Sequence, residues 1–501
     1  MEKRIIIATI LSSLVLIVWW IFIFPPHTPP QINRSIIENK QKVVSVSDDK
    51  EKTEKQTKIE YIFESNIWKV IFDPYGSKIK HWYIKETKSK DYSLPDLVFD
   101  PEGENLSTFN TVEFQFLKSF KDENFQYVIF CLKNNNFEIY KKYKLSLKNH
   151  FHELIIEVNN KSKNVLPFDI LWGPGLGSDE KIKENEKKIL RPYSIEKIED
   201  KSNSYRLKKL KSGEYEFKNF FSVGFDNTYF VVNFINSNNS IDKVFLQKNE
   251  KTNIQQISLN TEILPNSKKT INILFFLGPK IYTELKKINN GLEKTVDFGL
   301  FGDLTKLFLF ILNYLYKLVH NYGFAIIILT LIIQIITLPL IIKSMSATKA
   351  MKKIQPKITE IQQKYKNDPK RMQTEIMYLY KSQKVNPFGG CLPMLLQIPI
   401  FWSLFTGLKG AYELRNAKFI LWIKDLSHQD PVLPILMGIS MFIQQKMSTV
   451  ASDQSQKMLL YFMPIMFVII FWNFPSGLVL YWLTSNILSI IIQYFVLKKQ
   501  N

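Results

Sequence analysis

Five apolar segments in the C-terminal third of the chain constrain its architecture more than any other feature. They lie at about residues 323–342, 391–412, 431–447, 458–473 and 477–497. A helix needs about twenty apolar residues to cross a hydrocarbon core of roughly 30 Å, and several of these segments are shorter. With a sixth apolar segment, Ile5–Phe24, the sequence predicts a multi-pass α-helical membrane protein with six spans.

The apolar segment Ile5–Phe24, near the start of the chain, is predicted to belong to an uncleaved signal anchor, residues 1–24. Lys3 and Arg4 precede it, and the "FPPHTPP" that follows offers no small-residue cleavage site. A cleaved signal peptide is the alternative. Residues 25–58 are rich in Pro and then in Lys, Asp, Glu, Ser and Gln, a composition that predicts a flexible linker.

The middle of the chain has the sequence pattern of a β domain. Short aromatic and β-branched runs such as "FHELIIEVNN" and "YFVVNFINSNN" alternate with Asn, Gly and Asp turns. This pattern predicts a large, mainly-β sandwich at 59–294, ending in a connecting helix within "KIYTELKKINNGLEKTVDFG". The amphipathic run "LFGDLTKLFLFILNYLYKLVH" predicts a helix lying at the membrane surface, within residues 295–322.

Charge placement predicts the orientation of the chain. The loop 343–390 holds eleven Lys and Arg against three Asp and Glu, whereas the other loops are close to neutral. Because basic loops stay in the cytoplasm, this loop and both termini are expected there, with the β domain across the membrane. The helical core is predicted at 323–497 and a short cytoplasmic tail at 498–501. The net charge of +20 fits anionic lipid or RNA as a partner without choosing between them.

The basic loop also predicts a helical hairpin. Apolar residues at Met351, Ile354 and Ile358 follow helical spacing, and Asp368 before Pro369 predicts the N-cap of a second helix. One interpretation is a topogenic hairpin that only fixes orientation, and the other is a docking surface for RNA or an acidic partner. The basic residues at one end of the predicted hairpin are Lys352, Lys353, Lys357, Lys364, Lys366, Lys370 and Arg371.

Neutral polar residues recur inside the apolar segments. Thr330, Gln334 and Thr337 share one helix face, and an amide without a partner in hydrocarbon costs roughly 2–7 kcal/mol. Such residues form either ordinary interhelical hydrogen bonds or a hydrated groove, and their presence on several segments favours the groove. The other candidates are Gln397, Ser440, Gln444, Asn486, Ser489 and Gln493.

The sequence predicts no catalytic residue, cofactor or metal site. It contains no phosphate loop, no Gly-x-Ser-x-Gly and no paired-histidine zinc motif. Cys131 and Cys391 lie in different regions and imply neither a disulfide framework nor a metal cluster. The spans lack charges near their midpoints, which argues against an ion-coupled pump.

Several motifs resemble the YidC membrane-protein insertases. The segment "QPKITEIQQKYKNDPKRMQTEIMYLYKSQKVNPFGGCLPMLLQIPIF" and the block "FPSGLVLYW" carry the resemblance, which is tight over about 295–497. "WGPGLG" and "TVDFG" resemble the large periplasmic domain of the Gram-negative branch, which implies a β super-sandwich.

This resemblance implies a function in the bacterial inner membrane. Members of the family insert and help fold nascent inner-membrane proteins, alone or with the Sec translocon. Five spans surround a hydrophilic groove, through which a substrate helix passes into lipid without any cofactor. The cytoplasmic hairpin is implied to contact the ribosome and targeting machinery, and DNA is not among the expected partners.

Site residues carry over by position from the same resemblance. The groove arginine of the bacterial family aligns with Gln334, so this chain keeps hydrogen bonding there and loses the positive charge. Substrate-contacting positions fall on Phe401 and on Trp482 beside Tyr481. Two other functions stay open at this point: a small-solute transporter that uses the polar groove, and an envelope enzyme that acts on glycans through the β domain.

Overall fold

The computed structural model describes residues 59–85, 94–178, 190–198, 204–218, 220–248, 255–386, 392–448 and 454–499. The predicted anchor and linker lie outside these residues. Residues 353–386 form a compact unit separate from the other described residues, and each unit is considered by itself.

The β region confirms the predicted mainly-β domain. Its strands are β1 Tyr61–Glu64, β2 Trp68–Asp73, β3 Lys78–Ile84, β4 Gln115–Lys121, β5 Phe125–Lys133, β6 Phe137–Ser146, β7 Phe151–Asn160, β8 Leu166–Trp172, β9 Arg191–Lys197, β10 Tyr205–Lys209, β11 Gly213–Lys218, β12 Ser222–Asp226, β13 Phe230–Ile235, β14 Lys243–Lys248, β15 Gln255–Ile263 and β16 Ser267–Pro279. Every pairing between them is antiparallel.

The strands form three sheets. A nine-stranded sheet has the order β10-β9-β12-β13-β16-β7-β6-β5-β4, a four-stranded sheet the order β11-β14-β15-β8, and a three-stranded sheet the order β1-β2-β3. Burial alternates along β7 and β15, so each presents one face to the core and leaves the other half exposed. Strands β12 and β13 are buried on both faces.

Two apolar clusters explain that double burial. The larger cluster fills the space between the sheets and includes Trp68, Trp82 and Trp172, each at most 1% exposed. A smaller cluster covers the opposite face of the large sheet, where Leu285 and Leu292 pack with Val231 of β13. The connecting segment predicted after the β domain is therefore part of its second core.

Eight α-helices follow the strands in the described residues. They are α1 Tyr282–Ile288, α2 Gly302–Val319, α3 Tyr322–Lys364, α4 Pro369–Ser382, α5 Leu392–Gly410, α6 Val432–Ser448, α7 Gln454–Phe471 and α8 Ser476–Lys499. Short 3-10 turns at Leu292–Thr295 and Tyr412–Leu414 follow α1 and α5.

Helix α3 differs from its predicted boundaries. It runs for 43 residues, so no break separates the apolar segment ending near 342 from the basic loop after it. The sequence from Phe324 to Lys364 contains no glycine, and the helix continues through Pro339 and Pro356, although each removes a backbone donor, because residues such as Ala, Met and Lys sustain it on either side. Only the apolar half of α3 corresponds to the predicted span.

Two helices in the described residues are long and apolar enough to cross a membrane: Tyr322–Lys364 and Ser476–Val496. Val432–Met447 and Tyr461–Phe471 are shorter apolar helices. The count of six spans therefore stays a prediction.

The start of α4 confirms the predicted cap. The Asp368 side chain accepts a hydrogen bond from the Arg371 backbone N–H at 3.1 Å, and Pro369 occupies the first helical turn. Ile354 and Ile358 are buried, as their spacing predicts, whereas most of the basic residues between them and α4 are exposed.

Lys141 on β6 is a buried cation in the β domain. Its ammonium donates to the carbonyl oxygens of Gly76, at 3.1 Å, and of Leu106 and to the Thr108 hydroxyl at 3.3 Å. Burial lowers the pKa of Lys141 well below its ordinary value. The unfolded chain therefore binds this proton more readily than the folded chain over the pH range between the two pKa values.

We predict that raising the pH from about 7 to about 10 stabilises the protein relative to Lys141→Met, because folding releases the proton of Lys141 and the free-energy cost of that release falls as the pH approaches the pKa of the unfolded chain. The measurement is the difference in Tm between the two proteins in detergent across this range. Lys144→Met on the same strand is the control. Glu153 raises the pKa of Lys144, so its stabilising charge persists to a pH above 10.5 and this difference stays flat. A flat difference for Lys141→Met as well would contradict the prediction.

Candidate functional site

Helix α8 joins the helical region through polar contacts. Three of its side chains, Tyr481, Asn486 and Ser489, each form a hydrogen bond with a different neighbouring helix. At about 1.5 Å per residue, these positions cover roughly 12 Å along α8. Because α8 is otherwise strongly apolar, these contacts set the polar character of the bundle interior.

Gln334 connects α3 to α8. Its amide donates a hydrogen bond to the Ser489 hydroxyl at 2.9 Å, and the residue is only 6% exposed. The hydroxyls of Thr330 and Thr337 instead donate to backbone carbonyls one turn earlier in α3, at 2.7 Å and 2.9 Å. The three residues share a face as predicted, but only Gln334 forms a side-chain bond to another helix.

Asn486 connects α8 to α6. Its amide donates to the Ser440 hydroxyl at 3.1 Å, and that hydroxyl donates to the Met437 carbonyl at 2.7 Å. Gln493 lies four residues beyond Ser489 on the same face of α8 and is also buried, while Gln444 of α6 is half-buried.

The third contact connects α8 to α5 beside an aromatic cluster. The Gln397 amide donates to the Tyr481 hydroxyl at 2.6 Å. The Trp482 ring packs edge-on against Phe401, with centroids 5.0 Å apart, and against Phe471 of α7 at 5.2 Å. The two aromatic positions carried over by resemblance therefore touch each other.

Each amide in these contacts retains further hydrogen-bonding capacity. A glutamine or asparagine side chain offers two N–H donors and an acceptor oxygen, and each of the three bonds described uses one N–H. The arrangement can therefore exchange a helix–helix bond for a bond to water or to a polar segment.

The loop between α5 and α6 closes one end of this bundle. The Ser476 hydroxyl at the start of α8 donates to the Asp425 carbonyl at 2.7 Å, and the Ser476 N–H donates to the His428 carbonyl. Burial raises the pKa of the Asp425 carboxyl, but hydrogen bonds from His428 and Ser427 outweigh this and hold the pKa below its ordinary value.

Sequence reasoning missed the buried charges of this loop. Arg415 is 4% exposed and lies over the Phe230 ring of the β domain, with 5.0 Å to its centroid. Burial lowers the pKa of Arg415 to about 10, against the opposing effect of Asp425. The near-neutral net charge of the loop was used to predict its side of the membrane. A net charge does not reveal that one Arg and one Asp of the loop are buried.

The basic residues of the predicted docking surface divide into two groups. Lys352 is half-buried, and its ammonium donates to the Met447 carbonyl at 3.2 Å, near the C-terminus of α6. This bond caps the negative end of that helix and occupies the lysine. The exposed members are Lys353, Lys357, Lys364, Lys366, Lys370 and Arg371.

Comparison with known proteins decides the family. A model described as the YidC periplasmic domain matches residues 88–311, and one described as 60Kd inner membrane protein matches residues 314–501. A membrane protein insertase YidC from Endomicrobium trichonymphae is 41% identical over 534 residues, covering 100% of this chain and 98% of that protein. This chain belongs to the YidC family of membrane protein insertases.

Other relatives carry the same description. The Syntrophus aciditrophicus protein is 47% identical over 282 residues, covering 55% of this chain and 52% of its own length. A crystal structure of an active YidC insertase is 19% identical, covers 99% of this chain and 100% of its own, and has a TM-score of 0.42. YidC membership confirms the predicted family and supports membrane-protein insertion, whereas nothing found supports a solute transporter.

We predict that Ser489→Ala lowers the Tm of the purified chain in detergent only slightly, because an interhelical hydrogen bond contributes about 0.6 kcal/mol. Gln334→Met, which keeps the side-chain volume and removes the amide, should have a similar effect, and the double variant should lose no more than either single variant. A double-mutant cycle of Tm values measures this coupling. Fully additive losses would show that the two side chains do not depend on each other.

Proposed function

We propose that this chain inserts membrane proteins by passing their polar segments along the polar contacts that α8 forms with α3, α5 and α6. The supporting observation is that Gln334, Asn486 and Gln397 each hydrogen-bond across helices inside an otherwise apolar bundle. We assign these groups to the hydrophilic groove predicted from the sequence, together with the other predicted groove residues Thr330, Thr337, Ser440, Gln444 and Gln493.

Desolvation gives the groove its physical role. A peptide amide moved into hydrocarbon without a partner costs roughly 2–7 kcal/mol, and a translocating segment carries many. An amide of the groove can exchange its bond to a neighbouring helix for a bond to a passing segment. The total number of hydrogen bonds then stays nearly constant, so the exchange costs little free energy. The hydrophobic effect then drives the apolar part of the substrate into lipid, so no nucleotide is required.

The neutrality of Gln334 limits which substrates benefit. Glutamine bonds polar groups of either charge and forms no ion pair with an acidic segment. The groove of this chain therefore favours substrates through hydration and hydrogen bonding. Acidic and neutral polar segments of equal length should be inserted with similar efficiency.

Topology and partners complete the proposal. We place the chain in the bacterial inner membrane with six spans, both termini and the α3–α4 hairpin in the cytoplasm, and the β domain in the periplasm. The exposed lysines from Lys353 onward provide a basic surface for the ribosome and targeting machinery. Cooperation with the Sec translocon is part of the same proposal, and nascent inner-membrane proteins are the substrates.

Photo-crosslinking tests the groove directly. A photoreactive residue at Gln334 should crosslink to a ribosome-stalled nascent membrane protein, because the side chain lies where the substrate passes. The control is a photoreactive residue at Ile336, which is 71% exposed on the outer face of α3 and should contact lipid only. Ile332 is a poorer control because it is half-buried. Substrate crosslinks at 334 and none at 336 support the groove.

The opposite outcome would assign Gln334 to packing. If a folded, correctly oriented protein gives no nascent-chain crosslink at 334, its bond to Ser489 only holds two helices together. Gln334→Arg provides a second readout. It should raise insertion of a substrate with an acidic translocated segment and leave a neutral one unchanged.

A further inference from the structure

We infer that the tip of the loop between α5 and α6, residues 420–422, is a wedge that inserts into the bilayer beside the helical bundle. The wedge consists of Ile420, Leu421 and Trp422, which are 43%, 83% and 43% exposed. These three consecutive apolar residues occupy a loop tip, where polar residues are the norm. This inference depends on the membrane location of the chain and not on the proposed groove.

A tight turn presents these side chains outward. The Phe419 N–H donates to the Ile423 carbonyl at 3.0 Å, and the Ile423 N–H donates to the Ile420 carbonyl at 3.1 Å. Ile423 is buried, so the turn is fixed at its base while its tip is bare. The exposure of the tip is therefore a property of an ordered turn.

Leu421 has a strained backbone conformation, and its side chain makes too few contacts within the protein to offset that strain. Its φ is +54°, in the left-handed region that leucine rarely adopts. A strained residue persists when its surroundings or its function require it, and in this turn the strain brings the leucine to the outermost position. Lipid contact supplies the burial that the chain itself does not.

The base of the turn is docked at the start of α3. Asn321 donates from its amide to the Phe419 carbonyl at 3.3 Å, and the Phe419 ring contacts Gly323 so closely that a Cβ there would clash. The same ring packs edge-on against Phe324 at 5.2 Å. The wedge therefore lies level with the first turn of a helix long enough to span the membrane.

The apolar surface is continuous from the wedge onto the outer face of α3. Phe324 is 44% exposed, and Leu331 and Ile335 further along the helix are 43% and 59% exposed. Because Phe419 bridges Phe324 and the wedge, one apolar surface extends from the helix to the loop tip. Lipid acyl chains that contact α3 would contact the wedge as well.

The flanking charges identify the occupant as a phospholipid. Lys418 and Lys424 are exposed on either side of the turn. Their ammonium groups are suited to lipid phosphates at the depth where Trp422 meets the membrane interface. A small apolar tip between two cations fits a bilayer surface better than the larger hydrophobic patch of a protein interface.

Fluorescence depth measurement tests the wedge. The full chain, carrying Leu421→Cys and Cys391→Ser, would be labelled with the environment-sensitive dye NBD and reconstituted into phosphatidylethanolamine–phosphatidylglycerol nanodiscs. The parent without Leu421→Cys reports labelling of the buried Cys131. Asn238→Cys, at an exposed turn of the β domain, is the aqueous control.

The expected result is emission at shorter wavelength at 421 than at 238. NBD at 421 should resist aqueous iodide and be quenched by lipids brominated near the start of the acyl chain. Trp422→Cys should behave in the same way, which covers the possibility that one variant fails to fold. Emission and iodide quenching at both wedge positions equal to those at 238 would overturn the inference.

The lysines have a separate readout. Lys418→Gln with Lys424→Gln should reduce lipid quenching at 421 in nanodiscs containing phosphatidylglycerol, and should have no effect in pure phosphatidylcholine. An equal effect in both lipids would show that the lysines do not bind anionic headgroups, which overturns that part of the inference.

Discussion

A polar side chain inside an apolar helical bundle must find a partner, and in this chain helix α8 provides it. Tyr481, Asn486 and Ser489 point to three different neighbours, so α5, α6 and α3 are each tied to one central helix. Each bond contributes little net stability, because a polar side chain in a separated membrane helix also finds hydrogen-bond partners. Weak and exchangeable contacts are what the proposed groove requires, because it has to admit a substrate segment and close again.

The start of α8 is held more firmly than its middle. Ser476 is fixed by backbone and side-chain bonds to the loop that carries Asp425 and His428. The same loop buries Arg415 against Phe230 and packs Tyr412 against that ring, with centroids 5.7 Å apart. One loop thus links the β domain, the start of α8 and, through Phe419, the start of α3.

These contacts suggest a division between a rigid end and an adaptable interior. Charged groups held at low exposure, such as Arg415 over the Phe230 ring and Asp425 bonded to His428, resist separation because each would lose its compensating contact while still buried. Neutral amides such as Gln334 carry no such penalty and can change partners. The proposed groove lies on the adaptable side of this division, and the proposed wedge lies beside the rigid side.

Local sequence patterns were sufficient for much of the fold. The aromatic and β-branched run "FHELIIEVNN" predicted a strand, and Asp368 before Pro369 predicted where α4 begins; both signals are local and both are confirmed. Helix α3 continues past residue 342, where the sequence changes from apolar to basic, because such a change alters the environment of a helix without ending it. The helical spacing of Thr330, Gln334 and Thr337 placed them on one face.

What the sequence determined by itself was therefore the membrane character, the β domain, the family and the set of polar residues inside apolar helices. Only the tertiary structure decided which of those residues pair: Gln334 with Ser489, Asn486 with Ser440, and Gln397 with Tyr481. It also decided that Arg415 is buried and Leu421 is exposed. The physical reason is that periodicity fixes the face of a residue on its own helix, whereas its partner and its burial depend on how separate helices and loops come together.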